Sequence, residues 1–196
     1  MRKLLVFNFV TLNGYFKGPN GDLSWNRQGG AEESEFAAEN AQSGNVLLFG
    51  RVTYEHMAGF WPTPQALKHA PALAEGMNKA EKIVFSRTLK KAEWNNTRLV
   101  KDNIVEAVRK FKQEKGNDMV ILGSGSIVNQ FAEEGLIDEY QFMVNPVALG
   151  DGTPLFKGIR QSLNLKLVNT RTFKSGVILL SYQPAPDTPA PDFAHR

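Results

Sequence analysis

The strongest constraint on this chain is an alternation. Short apolar runs recur between stretches whose apolar residues return every three or four positions. "KLLVFNFV" from Lys3 reads as a buried strand, and "GGAEESEFAAENAQSG" is helical in composition and stops at Gly44. "NVLLFG" is again strand-like, and "RVTYEHMAGF" from Arg51 is again helical. A Pro-containing stretch from Pro62 to Pro71 follows, then the apolar runs "EKIVFS" and "TRLV" on either side of a turn-like "EWNN". Asn103 precedes Glu106 by three residues and opens "NIVEAVRKFKQEKG", the pattern of a capping box on an amphipathic helix that ends at Gly116. "DMVIL" leads through Gly and Ser into a helix with Ile127, Val128, Phe131 and Ala132 on its apolar face.

The last third changes character. "IDEYQFMVNPV", "LNLKLVNTRTFK" and "VILLSYQP" read as strands, the last two joined by a turn at "KSG". Alternating strands and helices imply an α/β fold whose central mixed sheet is mostly parallel and flanked by helices, with an antiparallel hairpin at its C-terminal edge. The 196 residues, 42% of them hydrophobic, suffice for one buried core. A single domain over residues 1–183 is expected, with a Pro-rich tail over 184–196.

Charge and cysteine content exclude several functions. The net charge of +3 comes from 23 basic and 20 acidic residues with no block of one sign, so neither a nucleic acid nor a membrane is the expected partner. The basic, apolar start is interrupted by Asn8 and lacks a small-residue cleavage site, which fits a first strand better than a signal peptide. The absence of cysteine removes disulfides, Cys-ligated metals and thiol nucleophiles, and fits a reducing cytoplasm. His56, His69 and His195 show no metal-ligand spacing, and no metal is expected. His56 reads as a surface or packing residue.

Open α/β sheets bind ligands beyond the carboxyl ends of their strands, so the joints between strands and helices are where function is sought. Two are distinctive: "LLFGRVTY", where Gly50 is followed by Arg51 and Thr53, and "VILGSGSI", with Gly123, Ser124, Gly125 and Ser126. A helix N-terminus presents unpaired N–H groups, and a residue without a β-carbon lets a phosphate reach them. Two such joints suit a pyrophosphate. Ser86 and Arg87 in "VFSRT", with Arg51, suit a further phosphate such as the 2′-phosphate of NADP. The competing reading of each piece is an ordinary turn, N-cap or solvated arginine.

These residues carry a resemblance. "GRVTY", "VFSR", "ILGSGSI" and "DEYQFMVNPVALGDGTPLF", in this order, resemble the dihydrofolate reductase-like fold, in the branch related to the C-terminal reductase domain of the bifunctional riboflavin-biosynthesis deaminase/reductase. The resemblance runs from about Arg2 to Tyr182. It implies NADPH as hydride donor, with the pyrophosphate over the "GRVTY" helix and against "GSGSI", and the 2′-phosphate near Arg51, Ser86 and Arg87. Thr53 and Ile127 would complete the contacts, and Asn13 in "TLNGYF" would lie beside the nicotinamide. It also implies a homodimer. The zinc deaminase signature of the bifunctional enzyme is absent, as the lack of cysteine requires. Many relatives carry Asp where Asn13 stands, and a neutral amide positions a ligand without donating a proton as an acid would.

The expected activity is therefore NADPH-dependent hydride transfer to a small heterocyclic or carbonyl substrate. The alternative is a non-catalytic NADP-binding or interaction module on the same fold. Asp22 and Glu139 are the candidate proton donors, with turn chemistry in "PNGD" and an exposed strand position as their competing explanations. Trp25, Tyr54 and Trp61 are the candidate aromatic walls of a flat substrate pocket, with core packing as the competing explanation. Dihydrofolate reduction itself would need a pterin-binding acid, and sequence alone does not single out one of Glu32, Glu33 and Glu35.

Overall fold

A computed structural model describes residues 1–26 and 30–186. Eight strands form the main sheet: β1 (Leu4–Thr11), β3 (Val46–Gly50), β4 (Lys82–Phe85), β5 (Thr97–Val100), β6 (Met119–Leu122), β7 (Glu139–Asn145), β9 (Leu165–Thr172) and β10 (Ile178–Pro184). Their order is β5-β4-β3-β6-β1-β7-β10-β9. Pairing is parallel from β5 through to β7 and antiparallel from β7 to β10 and β9. β2 (Tyr15–Lys17) and β8 (Thr153–Pro154) make a small separate ribbon.

Strand periodicity divides the core. In β1, Leu4, Val6 and Val10 join the cluster that holds Val128 and Phe131, whereas Phe7 and Phe9 turn to the other face. The first face is covered by α5 (Ile104–Gln113) and α6 (Gly125–Glu133), through Val108, Phe111, Ile127 and Phe131. The second is covered by α1 (Ala31–Gln42), whose Phe36 meets Phe7 and Phe173. The strand β3 divides in the same way, Val46 and Leu48 to one side, Leu47 and Phe49 to the other. There Phe49 packs with Tyr54 of α2 (Arg51–Phe60), Met77 of α4 (Pro71–Lys79) and Trp94.

The structure fills in one stretch that the sequence left unassigned and corrects three expectations. The stretch from Pro62 to Pro71 carries helix α3 (Pro64–His69) and opens α4, each with proline in its first turn, where the missing N–H is harmless. The capping box at Asn103 does not form: Asn103 is left-handed (φ 50°, ψ 43°) and makes no side-chain cap bond. The helix it precedes ends at Gln113, short of Gly116. Pro184 belongs to β10, paired with Leu165 at the strand's end. From Asp187 onward the expected tail lies outside the described residues, as does His195.

Candidate active site

The parallel strands all end on one edge of the sheet, and a groove of about 490 Å³ runs along it. It crosses the strand ends in spatial order: Lys101 after β5, Ser86 and Arg87 after β4, Gly50 and Arg51 after β3, Ser124 after β6, and Phe16 of β2 beyond β1. Thr53, Gly125, Ser126 and Ile127 also line it. Gly123 stands just behind this lining, against the side chain of Thr53. The sheet thus brings together the three joints picked out from the sequence, although residues 50 and 124 are far apart along the chain.

Each joint has its own construction. At the first, Gly50 is the N-cap of α2 and supplies no side-chain cap. Arg51 follows it and pairs with Glu55 one turn on, at 2.8 Å, with both side chains half exposed. At the second, Ser124 is the N-cap of α6. Gly125 packs close under Phe16, whose Cζ would lie 2.8 Å from a Cβ at this position. At the third, the Ser86 hydroxyl oxygen accepts from the N–H groups of Thr88 and Leu89, at 3.2 and 2.9 Å, which fixes the turn that carries Arg87. The Ser86 N–H donates to Val100 O at 3.0 Å, so Lys101 emerges beside Ser86.

The donor set suits a phosphorylated nucleotide. Two helix N-termini open on the groove without side-chain caps, and basic side chains stand at its β4–β5 end. Sequence reading missed Lys17, Lys101 and Gln130 in the lining. Lys101 had a signal: it follows "TRLV" in nearly the place Arg87 follows "KIVF", and those strands are parallel neighbours.

Several proposed site residues stand elsewhere. Asn13 is exposed and ties the loop after β7 to the end of β1: its Oδ1 accepts from Thr11 Oγ1 and Leu149 N, and its Nδ2 donates to Leu149 O at 2.7 Å. Asp22 is exposed and holds a turn, accepting from Ser24 N at 3.0 Å and Ser24 Oγ at 2.8 Å. Those hydrogen bonds hold its carboxyl below the usual carboxylate range, which disfavours a proton donor. Glu139 is at the wrong end of β7: it pairs with Leu5, whereas Asn145 pairs with Thr11 at the groove edge, about 20 Å away at strand rise. Its carboxylate accepts from Gln141 Nε2 at 2.8 Å.

Of the aromatics, Tyr54 is 4% exposed and packs against Phe49 and Trp94. Trp61 is half-buried, its indole N–H donating to Met57 Sδ at 3.1 Å. Trp25 is half-buried, and its buried Nε1 has no hydrogen-bond partner. None of the three lines the groove.

A carboxylate not singled out from the sequence comes to the same edge. Glu33, in the first turn of α1, is 3% exposed and accepts from Ser175 Oγ in the β9–β10 turn. That turn stands at the groove end of the sheet, because Ile178 pairs with Val144, and Val144 with Val10. One helical turn on, Phe36 lies against the half-buried Phe7. Only tertiary contact distinguishes Glu33 from Glu32, which instead pairs with Lys174 at the surface. Among the described residues, no group of three His, Cys, Asp or Glu could hold a metal ion. No described helix is long and apolar enough to cross a membrane.

A mostly parallel α/β sheet of this order, closed at one edge by an antiparallel hairpin, has the dihydrofolate reductase-like fold. The chain belongs to the RibD C-terminal domain family, whose model matches residues 2–179. It is 33% identical over 181 residues to the uncharacterized protein YyaP of Bacillus subtilis (strain 168), covering 92% of this chain and 94% of that protein. Among solved structures it is similar to a putative riboflavin biosynthesis protein from Shewanella sp. PV-4, with TM-score 0.72 and 22% identity over 94% of this chain and 99% of that one. It is also similar to dihydrofolate reductase from Enterococcus faecalis complexed with NADP(H), with TM-score 0.64 and 17% identity over 94% and 97% of the two chains.

Proposed function

We infer that the chain is an NADPH-dependent reductase that transfers hydride to a small heterocyclic or carbonyl substrate. One observation carries this reading: a single groove gathers two uncapped helix N-termini and the basic side chains Arg51, Arg87 and Lys101. NADPH would supply the hydride. The α2 and α6 N-termini would hold its pyrophosphate. Arg87, Lys101 and Ser86 would hold its 2′-phosphate, because Arg51 is partly neutralised by Glu55. The nicotinamide would then fall at the Phe16 and Lys17 end, beside the carboxyl end of β1.

On the substrate side, the best-supported group is Glu33. It replaces Asp22 and Glu139 as the candidate for anchoring a planar substrate and for holding a proton near it, with Phe7 and Phe36 as an aromatic wall. The homodimer implied by the family resemblance, and the cytoplasmic location that the absence of cysteine fits, belong to the same reading.

Thermal unfolding with matched NADPH and NADH tests the proposal, since a ligand at 100 times its dissociation constant adds about 2.7 kcal/mol to stability. The expected result is a larger rise with NADPH, with the preference erased in Arg87→Ala. Equal rises with both cofactors in the unaltered protein would remove the 2′-phosphate site. A protein that binds NADPH yet reduces nothing in a panel of pterins, flavin precursors, carbonyls and quinones would favour the binding-module reading.

A further inference from the structure

The sequence contains two Asn–Gly pairs, Asn13–Gly14 and Asn20–Gly21. Such a pair carries its own chemistry. The backbone nitrogen of the glycine can attack the amide carbon of the asparagine, and no β-carbon on the glycine stands in the way. Both asparagines are exposed, and a Cβ at either glycine would meet nothing within 4 Å. Both glycine nitrogens are also held alike: Gly14 N donates to Thr11 O at 2.9 Å, and Gly21 N to Gly18 O at 3.1 Å. The backbone therefore does not separate the two pairs.

The side chains do. The Asn13 amide is locked at both ends, its Oδ1 accepting from Thr11 Oγ1 at 2.8 Å and Leu149 N at 3.2 Å, and its Nδ2 donating to Leu149 O at 2.7 Å. Turning its amide carbon toward Gly14 N means giving up those bonds. Asn20 sits in a short turn after β2 with a left-handed backbone (φ 55°, ψ 20°), a conformation that asparagine tolerates. Its side chain makes no hydrogen bond among the described residues, so nothing holds its amide away from Gly21 N.

We propose that Asn20 is a site of spontaneous deamidation, and that the loop after β7 protects Asn13 from the same reaction. Gly21 N, having lost its proton to hydroxide, bonds to Asn20 Cγ; the Cγ–Nδ2 bond breaks, and the nitrogen takes a proton from water and leaves as ammonia. Water then opens the cyclic imide at either carbonyl, giving aspartate or isoaspartate. The sum is amide plus water to acid plus ammonia, with no oxidant or reductant. Isoaspartate routes the main chain through the side chain of residue 20, inside the turn closed by Gly18 N to Asp22 O at 2.8 Å and Asp22 N to Pro19 O at 3.1 Å. Phe16 and Lys17, which line the groove, lie just before that turn. The reaction needs no ligand in the groove, so the site stands apart from the cofactor reading.

The test is to age the full chain at mildly alkaline pH, folded in buffer and unfolded in urea, and to map the products by tryptic digestion and tandem mass spectrometry. Cleavage after Lys3, Lys17 and Arg27 puts Asn13 and Asn20 in separate peptides. In the folded protein Asn20 is expected to convert at least about tenfold faster than Asn13, because the hydrogen bonds to be broken at Asn13 are together worth at least that factor in rate. In urea, where each is simply an asparagine followed by glycine, the two rates should converge. Asn20→Gln should abolish conversion at this position and leave the folded Asn13 rate unchanged. An Asn13 rate equal to or above that of Asn20 in the folded protein overturns the proposal. So does an Asn20 that converts only in urea, or a rate ratio that persists there.

Discussion

Tyr54 sits three residues after the N-terminal residue of α2, a position that in sequence looks like the rim of a ligand pocket. Helical geometry turns it inward instead, where its hydroxyl accepts the backbone N–H of Trp94 at 2.9 Å. Tyr54→Phe leaves that buried amide unpaired, and the expected cost is about 1–3 kcal/mol, read from urea unfolding. NADPH affinity should not change, because the ring lies outside the groove; a large loss of affinity would return Tyr54 to the site. Residue identity gave no way to separate Tyr54 from a pocket aromatic, or Glu33 from Glu32. In both cases the distinction is made by partners distant in sequence: Trp94 for one and Ser175 for the other.

At the scale of elements, α4 illustrates two ways in which a helix is tied to its neighbours. Gly76 packs against α1 so closely that a Cβ would lie 2.8 Å from both Ala41 Cβ and Ala41 O. Backbone cannot yield as a flexible side chain would, so Gly76→Ala is expected to destabilise by about 1–3 kcal/mol. A lowered midpoint of chemical unfolding with the groove still binding NADPH is the predicted result.

The second tie is Lys82 at the start of β4. It is fully buried, its ammonium donates to the carbonyls of Asn78, Ala80 and Asn95, and it lies 4.5 Å from the centre of the Trp94 ring. Burial pushes its pKa down to about 8 from the ordinary 10.5. Between those values the unfolded chain holds a proton that the folded chain has released, so stability contributed here rises with pH across that window. The melting temperature of the unaltered protein minus that of Lys82→Met should therefore grow between pH 8 and 10, and a flat difference would contradict the assignment. The strand run "EKIVFS" was legible in sequence, but the burial of its lysine was not. Neither were α3 and α4, because proline reads as a breaker until its place in a first turn is known.

For the molecule as a whole, the period of the apolar residues revealed the architecture. Short apolar runs alternating with the three-to-four spacing of α5 and α6 were enough to expect a mostly parallel sheet with an antiparallel hairpin, and that is the sheet observed. The joints that line the groove were largely legible for a related reason: a strand-to-helix joint is a local event, marked by Gly and Ser where the chain turns. The proposed substrate side was not, since Glu33, Phe7 and Phe36 come together only through tertiary packing. The misplacement of Glu139 follows from the same limit. A strand can be recognised without knowing which of its ends faces the ligand.

The strand order also bears on how the chain is made. Within the sheet β1 hydrogen-bonds only to β6 and β7, which begin at Met119 and Glu139. Synthesis runs from the N-terminus at about 5–20 residues per second, so "LLVFNFVT" leaves the ribosome roughly ten seconds before its first ladder partner exists. During that wait this long, largely apolar strand of the nascent protein has nothing native to pair with in the sheet, and its protection falls to whatever shelters emerging chains in the cell.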